Sequence, residues 1–323
     1  MVEIDTFLTT LYVMVDDFCK TSLPHEGGPG PQATLSRSAV VTLAIFGPWQ
    51  GFGSARGFYR YVRCHLRAAF PQVPTREQWH RQGRQHHEAL VAVVQHFVHL
   101  LAAQRGAYAA LDSAGGPTRD AKRRGRGGLP GLAAMGWSTR VGWYEGFPLL
   151  LAVHPVGVMT GFGCGAASTK DQPLAETFLA LRRWPQPGLP SGGAPALGPY
   201  VVDKGLEGQA NHRVWGQTYG AQVLGPPKRH RKTPWPKPLR RWLAGVRQIV
   251  ETVYDKLFHT FRLDRERPHA LSGFRARLAA KIALHNFCIW VNEQLGRPRL
   301  AFTDLVDWYV HAISHQAFKQ LSG

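Results

Sequence analysis

Asp112, Asp203 and Glu251 are the residues through which this chain could do chemistry. Asp112 directly follows the apolar run Ala107 to Leu111, Asp203 follows Tyr200-Val201-Val202, and Glu251 sits inside an apolar-striped segment. In α/β folds the ends of buried strands are where ligands and metals sit. Hard Mg²⁺ prefers oxygen ligands, and two such ions held by a carboxylate trio can clamp both ends of a phosphodiester displacement. Each acid also has a plainer reading. A strand-end Asp forms turns and caps, and Glu251 makes an i,i+4 surface pair with Arg247 worth about 0.2–0.5 kcal/mol. Gly205 beside Asp203 permits a tight turn and close approach of backbone to substrate. Asp171, after Thr169-Lys170, is a spare acid read chiefly as the cap of the helix that follows it.

The acids stand in a basic chain: 39 Lys and Arg against 21 Asp and Glu, a formal charge of +18. That field is unlike an ordinary metabolic enzyme and makes nucleic acid the natural partner. The segment from about Ala55 to Phe70 carries Arg56, Arg60, Arg63 and Arg67 at helical intervals, with Phe58, Tyr59, Val62 and Leu66 on an apolar side. Such a helix fits a helix-turn-helix DNA-binding module or a plain solvated face. Arg119 to Gly131, with Arg123 and Arg124, reads as a basic loop. Pro226 to Arg241 interleaves Lys228, Arg229, Arg231, Lys232, Lys237, Arg240 and Arg241 with Trp235. These residues could clamp a DNA backbone and stack a base, or Trp235 could cover core. Lys204 and Arg247 add cations next to two of the acids.

The elements that must position these residues follow from periodicity. Residues 1 to about 22 repeat apolar side chains at helical spacing, and a Gly/Pro break follows through Pro31. From Ser36, read as an N-cap, to about Gln104, the chain reads as helices with little strand. After Arg105, strand-length runs appear at Ala107–Leu111, Trp143–Val153, Val156–Phe162 and Pro199–Val202, with helices at Leu174–Arg183 and Gln209–Tyr219. Trp242 to Phe261 is a helix with an apolar stripe, and Ala276 to Leu295 is another. This order predicts an α/β core, a mixed sheet with helices packed on it, preceded by an all-α region. Trp143, Tyr144, Phe147, Trp290, Trp308 and Tyr309 read mostly as core, and His285 as a satisfied buried histidine.

Cys19, Cys64, Cys164 and Cys288 are scattered singly, which points away from a disulfide scaffold and from a zinc finger. The N-terminus lacks a positively charged leader, and nowhere do 18 apolar residues run uninterrupted. A cytoplasmic, reducing location without a membrane segment is the expectation.

The joint wording of the acid segments resembles prokaryotic DDE transposases with an RNase H-like catalytic core. Tyr200-Val201-Val202-Asp203-Lys204-Gly205-Leu206-Glu207-Gly208 is similar to their second-aspartate motif, and Leu111-Asp112-Ser113 to the first. Arg247 to Phe258 looks like the helix that carries their final Glu, with its Arg four residues before. Arg63-Cys64-His65-Leu66-Arg67, Gly142 to Phe147 and Ala283 to Phe287 are also similar to the insertion-sequence group called IS982. Ala244 stands where that group's usual Tyr would, and Lys256 two residues before its usual Lys. The resemblance covers roughly residues 36 to 310.

The resemblance implies a helical DNA-binding domain over 36–104 behind an N-terminal helix and linker over 1–35. It further implies an RNase H-like catalytic domain over 105–299 and a helical tail over 300–323. It implies that Asp112, Asp203 and Glu251 hold two Mg²⁺ ions, with Mn²⁺ able to substitute, and that water or a 3′-hydroxyl is activated to nick element ends and join them to target DNA. Arg247 would orient Glu251 or meet the scissile phosphate. The partner would be double-stranded DNA, bound by a homodimer in a prokaryotic cytoplasm. A DNA-binding protein that has lost turnover, and an RNase H-like nuclease that does not join strands, are the alternatives.

Overall fold

The computed structural model describes residues 1–26, 33–49, 54–120, 129, 131–138, 142–166, 168–184, 198–206, 208–227 and 235–307. Helix α1 (Ile4–Ser22) buries Ile4, Phe7, Leu8, Leu11 and Val15 on one face, as its spacing requires. The two residues before it form β1 (Val2–Glu3), which pairs in parallel with β8 (Val306–Asp307). Helix α2 (Arg37–Phe46) starts where Ser36 accepts from the Ala39 amide at 3.2 Å, the expected N-cap. Helix α3 (Ala55–His65) stops before Leu66, short of the expected Phe70. Helices α4 (Arg76–Gln85) and α5 (His87–Leu100) complete this stretch, α4 opening on a Thr75/Gln78 capping box.

The remainder is mixed α/β, with a curled mixed sheet flanked by helices. Its strands are β2 (Ala109–Asp120), β3 (Ala134–Ser138), β4 (Gly142–Val153), β5 (Met159–Cys164), β6 (Tyr200–Val202) and β7 (Val223–Leu224). Strand β4 runs antiparallel to β2, and its other edge pairs with β3 along its first half and β5 along its second. Strand β6 lies parallel to β2, and β7 parallel to β6. Helix α6 (Asp171–Arg183) leads from β5 to β6, and α7 (Gln209–Tyr219) from β6 to β7. Helix α8 (Lys237–Asp255) begins five residues before the expected Trp242, with Pro238 in its first turn where no intrahelical amide is needed. It widens into a π turn over Lys256–Thr260.

Strand β2 departs from expectation. It does not run out at Asp112 but continues to Asp120. Gly115 and Gly116 lie within it, and the sheet uses both glycines for close approach. A Cβ at Gly115 would lie 2.7 Å from the Tyr144 ring, and one at Gly116 would lie 2.7 Å from the Phe147 carbonyl. Pro117 is tolerated because β6 pairs β2 only through Leu111, which leaves that edge without a ladder to break.

Alternation along the strands makes two apolar faces. Ala110, Leu149, Leu151, Val153 and Val201 share a core with residues of α8 and α9 (Leu271–Gln294). Ala109, Leu111, Leu150, Ala152, Tyr200 and Val202 pack instead on α6 and α7 through Leu174, Phe178, Leu179 and Trp215. Helix α9 is buried on nearly every side, because α5 and the first helices cover the face turned away from the sheet. Phe287 of α9 meets Phe7 and Phe97, so the helical stretch and the sheet share one core. Asn286 fixes α9 to the sheet: its Oδ1 accepts from the Met159 amide and its Nδ2 donates to the Met159 carbonyl, both at 3.0 Å. The side-chain amide thereby satisfies backbone groups of β5 that would otherwise be buried without partners.

Candidate active site

Leu111 of β2 is paired with Val202 of β6, and the strands are parallel, so the next residues on each are Asp112 and Asp203. Adjacent strands lie about 4.8 Å apart, so the register alone sets the two carboxylates side by side. Asp112 shares its parity with Ala110, which puts it on the face of the sheet that carries α8 and α9. Strand β6 ends at Val202, and the edge of β2 is open from there on. Ser113 and Gly205 shape the two acids: the Ser113 amide donates to Asp112 Oδ1 at 2.9 Å, and the Gly205 amide donates to Asp203 Oδ1 at 2.7 Å.

Asp171 is a third acid at this place. It is the first residue of α6, but Lys170 holds the cap position and makes no side-chain cap bond, so the capping reading is not what the structure shows. Asp171 Oδ1 instead accepts from Ser113 Oγ at 2.6 Å. A Cβ on Gly205 would stand 3.0 Å from Asp203 Oδ1 and 3.3 Å from Asp171 Oδ2, so this glycine marks the gap between two carboxylates. Burial first, then the charge of Asp203, pushes the Asp112 carboxyl up to about 7, with Asp171 adding to the rise. The Ser113 amide and Arg247 oppose it. Three acids so placed repel one another, and bound cations relieve that repulsion.

Helix α8 reaches the acids with one stripe. Arg240, Ala244, Arg247, Glu251 and Tyr254 follow at three- and four-residue steps. At its end Tyr254, buried, donates to the carbonyl of Asp112 at 2.8 Å and also lies 3.1 Å from the carbonyl of Leu149. Glu251 is one turn before Tyr254, and its carboxylate is 66% exposed and 3.6 Å from Arg247. Arg247 is thus paired with Glu251, while its charge opposes the rise at Asp112. Among the described residues no three His, Cys, Asp or Glu side chains converge closely enough to hold a metal ion as they stand. The donor chemistry, carboxylate oxygen throughout, fits a hard divalent cation, and Glu251 would have to leave Arg247 to join.

Arg56, Arg60 and Arg63 of α3 and Arg67 just after it are exposed and line an open groove. Lys237, Arg240, Arg241 and Arg247 are exposed along α8. Trp235 is half-buried against the core, the covering role. Arg123, Arg124, Lys228, Arg229, Arg231 and Lys232 lie outside the described residues, as do Trp308 and Tyr309, and only the backbone of Lys204 is described. His285 lies far from the acids, fully buried between Phe261 and Phe302, with Nε2 on the Gly157 carbonyl at 3.0 Å. Burial holds its pKa down to about 4. Tyr144 and Phe147 are core, but Trp143 is 67% exposed, opposite the exposed Trp137 across β3 and β4. Their strand β3 carries no alternation strong enough to have announced it. The cysteines Cys19, Cys64, Cys164 and Cys288 are free. Among the described residues no helix is long and apolar enough to cross a membrane.

No family model, no curated protein and no solved structure matches this chain.

Proposed function

We propose that the chain is a divalent-cation-dependent DNA transposase built on an RNase H-like core. The observation that carries the reading is the adjacency of Asp112 and Asp203 across the parallel pair β2 and β6, with the Glu251 helix docked on the same place through Tyr254. The strand order β5-β4-β2-β6-β7, with β4 antiparallel to β2 and with β6 and β7 parallel to it, supports the same reading. An acid on the central strand, one at the end of its parallel neighbour and one on a later helix is the arrangement that the resemblance implies.

Asp112, Asp203 and Glu251 would hold two Mg²⁺ or Mn²⁺ ions, with Asp171 beside them. The ions supply a nucleophile at neutral pH and stabilise the leaving oxygen of the phosphodiester. The chain's own part is positional. The Ser113 and Gly205 amides fix carboxylate rotamers, and Tyr254 fixes the distance of α8 from β2. Arg247 holds Glu251 in waiting and offers a guanidinium to a phosphate once Glu251 swings inward. The overall charge of +18 draws in the duplex.

Duplexes copied from the DNA that flanks the coding sequence, incubated with Mg²⁺, test this. Nicking and strand joining are expected from the intact protein and not from Asp112→Asn or Asp203→Asn. Cleavage that persists in both variants removes these acids from the chemistry. The pairing of exposed Glu251 with Arg247 favours one second reading, a DNA-binding protein without turnover. Binding with no nicking under either Mg²⁺ or Mn²⁺ would select it.

A further inference from the structure

We infer that the arginine face of α3 and the start of α4 form a trough for a sugar-phosphate strand, gripped through its phosphates without reading bases. This deepens the nucleic-acid reading yet does not depend on the acids. One wall is α3 and the turn after it, with Arg56, Arg60 and Arg63 exposed along the helix and Arg67 exposed in the turn. The other wall is Val73 to Glu77, and the two enclose about 720 Å³. The walls are fixed to each other. Tyr59 of α3 donates its hydroxyl to the Pro74 carbonyl at 2.7 Å, and the Phe58 and Tyr59 rings both meet Trp79 of α4.

Charge selects an anion. Five arginines line the groove, counting Arg76, against one carboxylate, Glu77, which sits 3.6 Å from Arg76. Among the described residues Arg56, Arg60 and Arg67 face no carboxylate in an ion pair. The first-turn amides of α4 also open here: the capping box engages Thr75 and Gln78, and Arg76 and Glu77 have no acceptor one turn earlier within the helix. Shape selects a strand over a compact anion. At about 1.5 Å per residue Arg56, Arg60 and Arg63 are spread over roughly 10 Å of α3, with Arg67 beyond its end, a row that successive phosphates can follow and a single phosphate cannot fill.

The same geometry argues against α3 as a helix inserted in the major groove. A recognition helix presents its reading face as a ridge to a groove about 12 Å wide. The arginine face of α3 is instead the inner side of a trough, walled by Val73 to Glu77. Tyr59, the aromatic residue in that lining, is buried and already bonded, so it offers no platform for a base.

The test is binding of the full chain, without divalent cation, to labelled duplexes of about 20 base pairs in two unrelated sequences, followed by anisotropy across a salt series. For Arg60→Ala/Arg67→Ala we expect about tenfold or more weaker binding to both duplexes, and a log–log salt slope smaller by about 2, at ~0.9 per lost phosphate contact. Arg60→Lys/Arg67→Lys should retain most of the affinity, because a point cation still meets phosphate. Lys20→Ala, which removes an exposed cation of α1 outside the groove, should bind like the parent, which separates this site from a general loss of charge. Unchanged affinity in the alanine variant overturns the proposal, as does a loss confined to one sequence, which signals base reading. Inorganic triphosphate competing as tightly as the duplex would also overturn it, in favour of a compact-anion site.

Discussion

Tyr254 of α8 donates its hydroxyl to the backbone carbonyl of Asp112. The bond ties the helix that carries Glu251 to the strand that carries the first acid, and it does so at the acid itself. It also satisfies a part-buried carbonyl, since Asp112 pairs with Leu151 of β4 on one side and lies past the last residue of β2 paired with β6 on the other. Tyr254→Phe keeps the ring and removes the bond. The expected cost in urea denaturation is about 1–2 kcal/mol, that of a buried hydrogen bond whose acceptors are left behind. Mg²⁺-dependent nicking should fall much further than that cost explains, because the spacing of Glu251 from Asp112 is loosened. Full nicking in a protein destabilised by that amount would show that α8 is placed by other contacts.

The raised pKa of Asp112 makes it a source of pH-dependent instability. Its folded value is about 7 against an ordinary 3.8, so the folded protein holds a proton that the unfolded chain releases. Stability is unaffected below the unfolded value, declines as pH rises from about 4 to 7, and stays lowered above that. Asp112→Asn should therefore raise the thermal midpoint at pH 8 by the equivalent of roughly 2 kcal/mol and leave it nearly unchanged at pH 4. Saturating Mg²⁺ should stabilise the parent at pH 8 and do little for the variant. An equal midpoint for both proteins at pH 8 without metal would mean that the acid is not under the repulsion described.

Asp171 gives a cleaner contrast, because its two readings predict different losses. A helix cap removed by Asp171→Ala costs about 0.5–2 kcal/mol and leaves chemistry alone. A third acid in the site, held by Ser113 Oγ, contributes to cation binding instead. We expect Asp171→Ala to melt near the parent and to need about tenfold more Mn²⁺ for half-maximal nicking, with isothermal calorimetry showing weaker Mn²⁺ binding. Ser113→Ala should move the metal requirement in the same direction by less. A lowered melting point with an unchanged metal requirement would return Asp171 to the role of a cap.

Buried charge supplies a stability test far from the acids. Lys281 of α9 lies 3.0 Å from Glu266, Arg277 contacts the other oxygen, and burial pulls the Lys281 ammonium pKa down. Burial acts to raise the Glu266 carboxyl, but the two cations outweigh it and hold it low. Its contribution is present above the ordinary carboxylate range and is lost as pH falls through the depressed value. Glu266→Gln strands the ammonium and should cost about 3–5 kcal/mol at pH 7, while Glu266→Gln/Lys281→Met should recover much of it. Equal losses in single and double variants would show that the pair is not coupled.

Local pattern made much of this molecule legible. Gln209–Tyr219 is a helix over the expected residues, and β4 and the Ser36 cap lie where periodicity and capping chemistry put them, while α8 starts five residues early. Two kinds of feature were not legible. The pairing of Leu111 with Val202 is a contact between residues far apart in the chain, and no run of side chains near either acid encodes it. Asp171 carries a signal that a cap and a site acid share, an Asp opening a helix, and only the bond from Ser113 separates them. The continuation of β2 past Asp112 was hidden for a related reason: glycine marks both a loop and a close crossing of backbones, and Tyr144 and Phe147 decide which. Trp143 has the sequence neighbourhood of a core residue, yet its turn toward solvent is set by register with Trp137.

Gly205 is the position at which fold and chemistry are most easily separated. A Cβ added there would enter between Asp203 and Asp171, 3.0 Å from one carboxylate oxygen and 3.3 Å from the other. Both acids sit near the open edge of the sheet, so each can yield by a few tenths of an ångström without disturbing the apolar core. Gly205→Ala should therefore cost less than about 1 kcal/mol in denaturant, and the reduced chain entropy of the unfolded state offsets part of even that. The same shift moves two carboxylates that need to sit within a fraction of an ångström of their working positions. Nicking should drop about 100-fold while DNA binding in the absence of metal is unchanged, as read by single-turnover cleavage beside anisotropy. Parental cleavage by a stable Gly205→Ala protein would place the working site away from the gap between Asp203 and Asp171, and would leave Asp112 and Glu251 as the pair to pursue.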